Sequence, residues 1–259
     1  MTDASPTTTI LEPAIAVLER EREEVLAERR AFDRFASRVA DLDARPASAT
    51  AQFAGPGAVT HVSSTGNDCS AVREAFDETV MSLSHYSDRY DETWIESIAA
   101  ELNPDVAAAL QRHERLHPPL KRSLQLAAEQ AVTNRTELLD LLETERDALA
   151  EYESELSDAE GELQSLLDQP ISNLEFNALR LTRTRLEELG DRCDRLATER
   201  QRQLHERRCQ LSVIDGDVFE AYLYGNYEHS YPVLAAITLL ADRIESSIAD
   251  VDRLLVRSH

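Results

Sequence analysis

Lysine is nearly missing from this chain: Lys121 is the only one among 27 cationic residues, and arginine supplies the rest. Glycine (7), proline (9) and aromatic residues (5%) are also scarce in a chain of 259 residues. So few turn formers and rings argue against a β-sandwich or barrel. The three cysteines, Cys69, Cys193 and Cys209, are an odd and widely spaced set without a C-x-x-C. They support neither a disulfide framework nor a cysteine zinc site, and fit reduced thiols. The longest strongly apolar run, Val233 to Ala241, is nine residues, too short to span a bilayer. The N-terminus has no basic region, and Glu12 and Pro13 interrupt its apolar stretch, so no export signal is predicted and a cytoplasmic location is expected. Also missing are a P-loop, G-x-G-x-x-G, G-x-S-x-G, a plausible Ser/His/Asp set and repeats at solenoid periods.

What remains is dominated by Ala, Leu, Glu, Asp and Arg, with 42% hydrophobic residues, enough for a core. This predicts an all-α protein. The formal charge of −22 repels nucleic-acid phosphate and anionic lipid at long range unless a local patch reverses the sign. An acid-rich, lysine-poor surface suits concentrated salt, where screening over a few ångströms relieves self-repulsion, and reads as a halophile's cytosolic protein.

Along the chain, residues 1–9 read as a disordered N-terminus and 10–43 as an amphipathic helix. Its start is a capping box of Thr9 and Glu12 with Pro13 in the first turn, and its stripe is Ile15, Leu18, Val25, Phe32, Val39 and Leu42. Residues 44–66, with Pro46, Pro56 and three of the glycines, read as a flexible linker that Phe53 anchors. A region of short helices is expected over 67–117, the last of them running to Pro118 and Pro119.

Residues 118–213 carry the clearest pattern. Leu138, Leu142, Glu145, Leu149, Tyr152, Leu156, Ala159, Leu163 and Leu166 recur at alternating steps of four and three, a heptad seam with one polar member. After Pro170 and a second capping box at Ser172 and Glu175, the seam resumes at Leu179, Thr182, Leu186, Leu189, Cys193, Leu196, Arg200 and Leu204. Folded back antiparallel, one register pairs Leu163 with Leu179, Leu156 with Leu186, Tyr152 with Leu189, Leu149 with Cys193, Glu145 with Leu196 and Leu138 with Leu204. Twelve acids and one arginine on 137–168 face nine arginines and six acids on 180–208, a charge match that sets orientation. Glu145 and Arg200 fall about one turn apart across that seam, as a register-setting ion pair. Residues 214–259 read as an aromatic turn region, with Gly216 breaking the preceding helix and a short aromatic helix from Val218 to Tyr224, and a last helix opened by Ser230 and Pro232 that packs on the bundle. The hairpin is thus expected within an elongated helical bundle. A seam of this kind also suits a homodimer.

Three constellations carry candidate chemistry. His113, Glu114 and His117 spell H-E-x-x-H, which on a helix places two imidazoles for zinc and a glutamate as general base, with Glu137 as a third ligand. Arg115 inside the motif and the prolines after it oppose a zinc hydrolase and favour a polar helical end. The arginines from Arg180 to Arg208 resemble a nucleic-acid stripe, but the acidic partner helix accounts for them, so nucleic acid is disfavoured. The aromatics crowd at Tyr86, Tyr90 and Trp94 and at Phe219, Tyr222, Tyr224, Tyr227, His229 and Tyr231. Such rings close the end of a bundle or anchor a binding surface.

Leu18 to Arg22, Arg30 to Phe32, Tyr222-Leu-Tyr-Gly and Tyr231-Pro-Val-Leu together resemble an uncharacterised haloarchaeal family classed as a domain of unknown function. The resemblance implies a halophilic source and no activity, cofactor or catalytic residue. The reading is therefore a cytosolic structural or protein-interaction module with an unknown protein partner and no membrane or cofactor. A zinc hydrolase and an atypical nucleic-acid-binding regulator are the alternatives.

Overall fold

The computed structural model describes residues 6–44, 69–84, 93–168, 171, 174–210 and 218–257. Among them are eight helices and no strand: α1 (Pro6–Asp41), α2 (Cys69–Thr79), α3 (Trp94–Glu101), α4 (Pro104–Arg112), α5 (Pro118–Leu167), α6 (Phe176–Gln210), α7 (Val218–Tyr224) and α8 (Pro232–Arg257). The protein is all-α. All of the proposed linker except Asp43's neighbour Ala44, with Phe53 in it, lies outside the described residues, as do Tyr86, Tyr90, Ser172 and Gly216.

Two expectations about helix ends need correction. Helix α1 starts at Pro6, before the capping box proposed at Thr9, so residues 6–9 are helical and Pro13 lies inside the helix. An interior proline forgoes a backbone bond at a cost of about 3 kcal/mol. Burial of Leu11, Ala14 and Leu18 on one stripe offsets it, since each large apolar side chain removed from water contributes about 1.5–3 kcal/mol. Helix α4 ends at Arg112 rather than at the double proline, because His113 is extended (φ −110°, ψ 124°).

The chain divides into two compact units, Met1–Glu21 with Leu142–His259, and Arg22–Leu141. Both boundaries fall inside long helices, α1 and α5. The second unit has a continuous apolar core: Phe32, Phe35 and Val39 from α1, Val72 and Phe76 from α2, Ile98 from α3, Val106 and Leu110 from α4, and Leu120 and Leu124 from α5. Phe35 and Phe76 meet edge to face at 5.3 Å between centroids. The Arg135 guanidinium lies 4.4 Å above the Phe32 ring and bonds Glu28 and Glu101, so its charge is paired where it is mostly out of water. Short helices here are fixed by their caps. The Asn103 side chain accepts from Asp105 N–H at 2.6 Å, with Pro104 in the first turn of α4. The Glu96 carboxylate accepts from both the backbone N–H and the hydroxyl of Thr93 at the start of α3, and these bonds lower its pKa.

In the first unit α5 and α6 run antiparallel: Glu155 meets Arg192 at 2.6 Å, and Glu145 meets Arg200 at 2.6 Å. The buried seam positions are Leu142, Glu145, Leu149, Tyr152, Leu156, Ala159 and Leu163 on α5, and Leu179, Thr182, Leu186, Leu189, Cys193, Arg200 and Leu204 on α6, with Glu160 and Arg207 buried beside them. The first set steps by three and four, and the second does so apart from a step of seven between Cys193 and Arg200, as a helix must to keep one stripe against a partner. Helix α8 packs along α6 through Ile237, Leu240, Ile244 and Val251, also antiparallel, with Gly190 beneath Ile244 and Arg183 bonded to Asp252 at 2.7 Å.

Candidate interaction surfaces and the buried polar layers

Two buried carboxylates on α5 organise the first unit. Glu145 is fully buried and accepts from Arg200 (2.6 Å), Arg207 (2.8 Å) and the Tyr224 hydroxyl (3.1 Å). Arg207 also donates to buried Glu220 at 3.1 Å and lies 5.0 Å over the Phe219 ring. The cluster of two arginines and two glutamates is neutral in total, which is the condition for holding such charges away from water. Two of its atoms, Arg200 Nη1 and Glu220 Oε2, have no hydrogen-bond partner among the described residues. The Tyr224 phenol is held neutral, its pKa pushed well up by burial and then by the neighbouring Glu145 charge. Farther along α5, Glu160 accepts from Thr7 of α1 at 2.6 Å and from Arg243 of α8.

The C-terminal aromatics proposed as a surface are mostly ties within this unit. Tyr224 is wholly buried, so it leaves any surface reading. Tyr227 donates its hydroxyl to the Ile10 carbonyl at 2.8 Å, and burial raises its pKa. His229 stands edge to face on Tyr227 at 5.9 Å. Tyr231 accepts from Arg208 at 2.8 Å, and Tyr222 donates to Glu21 while staying 48% exposed. In the other unit, Trp94 carries the Arg73 guanidinium 5.4 Å from its ring.

His113, Glu114 and His117 do not share a helix. The chain is non-helical from His113 to His117, so the spacing that aims two imidazoles at one ion is not available, and the rings instead meet edge to face at 4.8 Å between centroids. No group of three or more His, Cys, Asp or Glu side chains suited to a metal occurs among the described residues, Glu137 included. His117 has a different task. Pro118 and Pro119 have no N–H, so Leu120 offers the first free donor of α5, and His117 Nδ1 accepts it at 3.2 Å. At the far end of a neighbouring helix, Lys121 Nζ donates to the carbonyls of Ala40 (2.7 Å) and Leu42 (2.5 Å), capping the C-terminus of α1. Neither cap follows from a periodic pattern.

The arginines of α6 are largely engaged. Arg183 pairs with Asp252 and Glu187, Arg185 with Glu188, Arg192 with Glu155, Arg202 with Glu199 and Glu206, and Arg200 and Arg207 lie in the buried cluster.

An open groove of about 590 Å³ runs between α6 and α8. Glu187, Glu188, Asp191, Asp194 and Glu245 line its rim with Thr184, and Gly190, Ala241, Ile244 and Ile248 form its floor. No cation lines it. Glycine at 190 leaves the floor low, since a Cβ there would touch Ile244 at 4.0 Å.

A family model covers residues 9–247, nearly the whole of both units. The chain belongs to the family described as Domain of unknown function (DUF7260). No curated protein and no solved structure is detectably similar to it. Family membership thus spans the polar layers, the caps and most of the groove, and brings no activity with it. No helix among the described residues is long and apolar enough to cross a membrane.

Proposed function

We propose that the protein is a structural or protein-interaction module of a halophile's cytosol, and that its binding face is the groove between α6 and α8. The observation that carries this reading is the low, partly apolar floor of that groove, left open between two helices whose opposite faces are packed into the unit. A lone lysine and a charge of −22 support the saline setting.

The test is photo-crosslinking in the native host, with a benzophenone amino acid placed at Ile248 in the groove or at Gln201, exposed on α6 outside it. A discrete protein adduct from Ile248 and none from Gln201 is the expected result. Equal adduct patterns from both positions would remove the groove from consideration.

A further inference from the structure

Helix α5 opens with few donors to cap. The first turn of a helix normally presents its leading N–H groups with no partner inside the helix. Pro118 and Pro119 have none to present, and Lys121 N–H already reaches the His117 carbonyl at 3.0 Å. Leu120 N–H is therefore the donor of that turn left to satisfy, and the His117 ring takes it on Nδ1 at 3.2 Å. Ser, Thr, Asn and Asp are the residues favoured for this task, and their side-chain oxygens remain acceptors throughout the range around neutral pH. Imidazole does not. A protonated ring donates from both nitrogens and accepts on neither, so one proton abolishes the cap.

The turn that carries this ring is a junction. The Glu114 carbonyl accepts from Cys69 N–H at 3.1 Å, which fixes the start of α2, and His113 N–H bonds the Ala109 carbonyl at 3.0 Å, which closes α4. Lys121 holds the carbonyls of Ala40 and Leu42 at the end of α1, and buried Leu116 anchors the turn in the core. Termini of α1, α2, α4 and α5 thus meet on the stretch from His113 to Lys121. The charged and titratable groups around the ring are few. His113, just past α4, faces it edge to face at 4.8 Å between centroids. Lys121 stands one turn along α5 with its ammonium on the α1 carbonyls, α2 sends the Cys69 N–H to Glu114, and the side chains of Glu114 and Arg115 are exposed. Among the described residues no carboxylate pairs with His117, so an imidazolium would find no anion in place of the bond it lost. We propose that His117 is an acid-operated clasp. With a neutral ring it caps α5 and keeps the junction closed; protonated, it releases Leu120 and loosens the starts of α5 and α2 without unfolding the rest. The cap is whole above the range in which histidine ordinarily takes up a proton, about pH 6.5, and is lost as the pH falls through it.

The experiment is amide hydrogen exchange of the full chain, resolved by residue, from about pH 7.5 to about pH 5, with each rate divided by the intrinsic rate at that pH. Protection at Leu120 and Cys69 is expected to fall about fivefold over that span, the size of one lost cap, while amides of α6 and α8 keep theirs. His117→Asn, whose side-chain oxygen accepts at every pH in the series, should hold protection level, and His117→Ser serves the same purpose if the asparagine variant folds poorly. His113→Ala should respond as the unaltered protein does. Nitrogen-15 shifts of the ring at about pH 8 should place its one proton on Nε2, leaving Nδ1 to accept. A proton on Nδ1, constant protection in the unaltered chain, or the same fall in His117→Asn overturns the proposal. So does a response that vanishes in His113→Ala, which would move the titration to the other ring, or a fall shared by α6 and α8, which would mark a general loosening in acid.

Discussion

Glu145 on α5 and Arg200 on α6, 55 residues apart in the chain, share a 2.6 Å bond at a point where both side chains are almost completely buried. Their attraction in a medium poorer in water than the surface is large, and so is the cost of stranding either one. Glu145→Ala leaves Arg200 without its carboxylate and Arg207 with Glu220 alone, and is expected to cost about 3–5 kcal/mol. Urea unfolding at fixed KCl measures it. Combining Glu145→Leu with Arg200→Leu should cost less than the two single changes together, because the second change removes a charge the first has stranded. Additive costs would mean that the two side chains act independently.

Tyr224 sets an alkaline limit. Its pKa is raised by burial and by Glu145, so the folded protein keeps a proton that the unfolded chain releases near pH 10. This contribution to stability is whole below pH 10 and falls as the pH rises beyond it. Tyr224→Phe should flatten the loss of stability above pH 10. It should also lower stability at neutral pH by about 1.5–3 kcal/mol, the value of a bond to a charged acceptor. Superimposable alkaline profiles for the two proteins would show that another group governs the transition.

Lys121 closes the C-terminus of α1 with two donated bonds. Lys121→Met keeps the side chain's length and removes the cap, and should cost about 1 kcal/mol in a thermal melt. Since no other lysine exists, amine-directed labelling read at the peptide that carries Lys121 reports on this contact apart from the α-amine. The Nζ should react more slowly in the native protein than in urea.

His117 and His113 should part company on substitution. His117→Ala loses the acceptor for Leu120 N–H and is expected to cost about 1 kcal/mol, whereas His117→Asn restores an N-cap side chain and recovers most of it. His113→Ala, at an exposed position, should change stability by less than about 0.5 kcal/mol. A larger loss at His113 than at His117 would indicate that the edge-to-face imidazoles, not the cap, hold this turn.

Gly225 follows α7, and a Cβ there would lie 2.2 Å from the Ala221 carbonyl oxygen. Backbone is the obstacle, so no side-chain rotation relieves it. Gly225→Ala should cost about 1–3 kcal/mol by forcing the turn in which Tyr227 N–H bonds the Tyr224 carbonyl. Calorimetry of the variant tests this.

The parts of this fold that could be read from sequence are those with a period. The steps of three and four on α5 and α6 select the residues that are buried, and they single out Glu145 and Arg200 because a charge on an apolar stripe is conspicuous. Arg207 and Glu220 carry no such signal: Arg207 lies one step past Leu204, where the leucines of α6 end, and its partner sits on α7, beyond residues with no pattern. Thr7 with Glu160 and Lys121 with the end of α1 were invisible for a related reason, since a single hydroxyl or amine at long separation leaves no repeat. H-E-x-x-H is the opposite case, a pattern without the structure it needs. The spacing carries its metal geometry only on a continuous helix, and the two prolines that make His117 a cap also begin a new one. The groove, too, had no signature, because it depends on which faces of α6 and α8 remain uncovered after packing.

The N-terminal turns of α1 are tied to residues that are made much later: Thr7 to Glu160, Tyr222 to Glu21 and Tyr227 to Ile10, at separations of 153, 201 and 217 residues. During synthesis, then, these turns must wait for residues made 153 to 217 positions later before their apolar stripe of Leu11, Ala14 and Leu18 is covered. Residues 22–141 face no such delay, as their core is drawn from one uninterrupted stretch. The nascent chain should therefore acquire protease resistance in two stages, residues 22–141 first and the segments on either side of them together only once Glu160, Tyr222 and Tyr227 have been made.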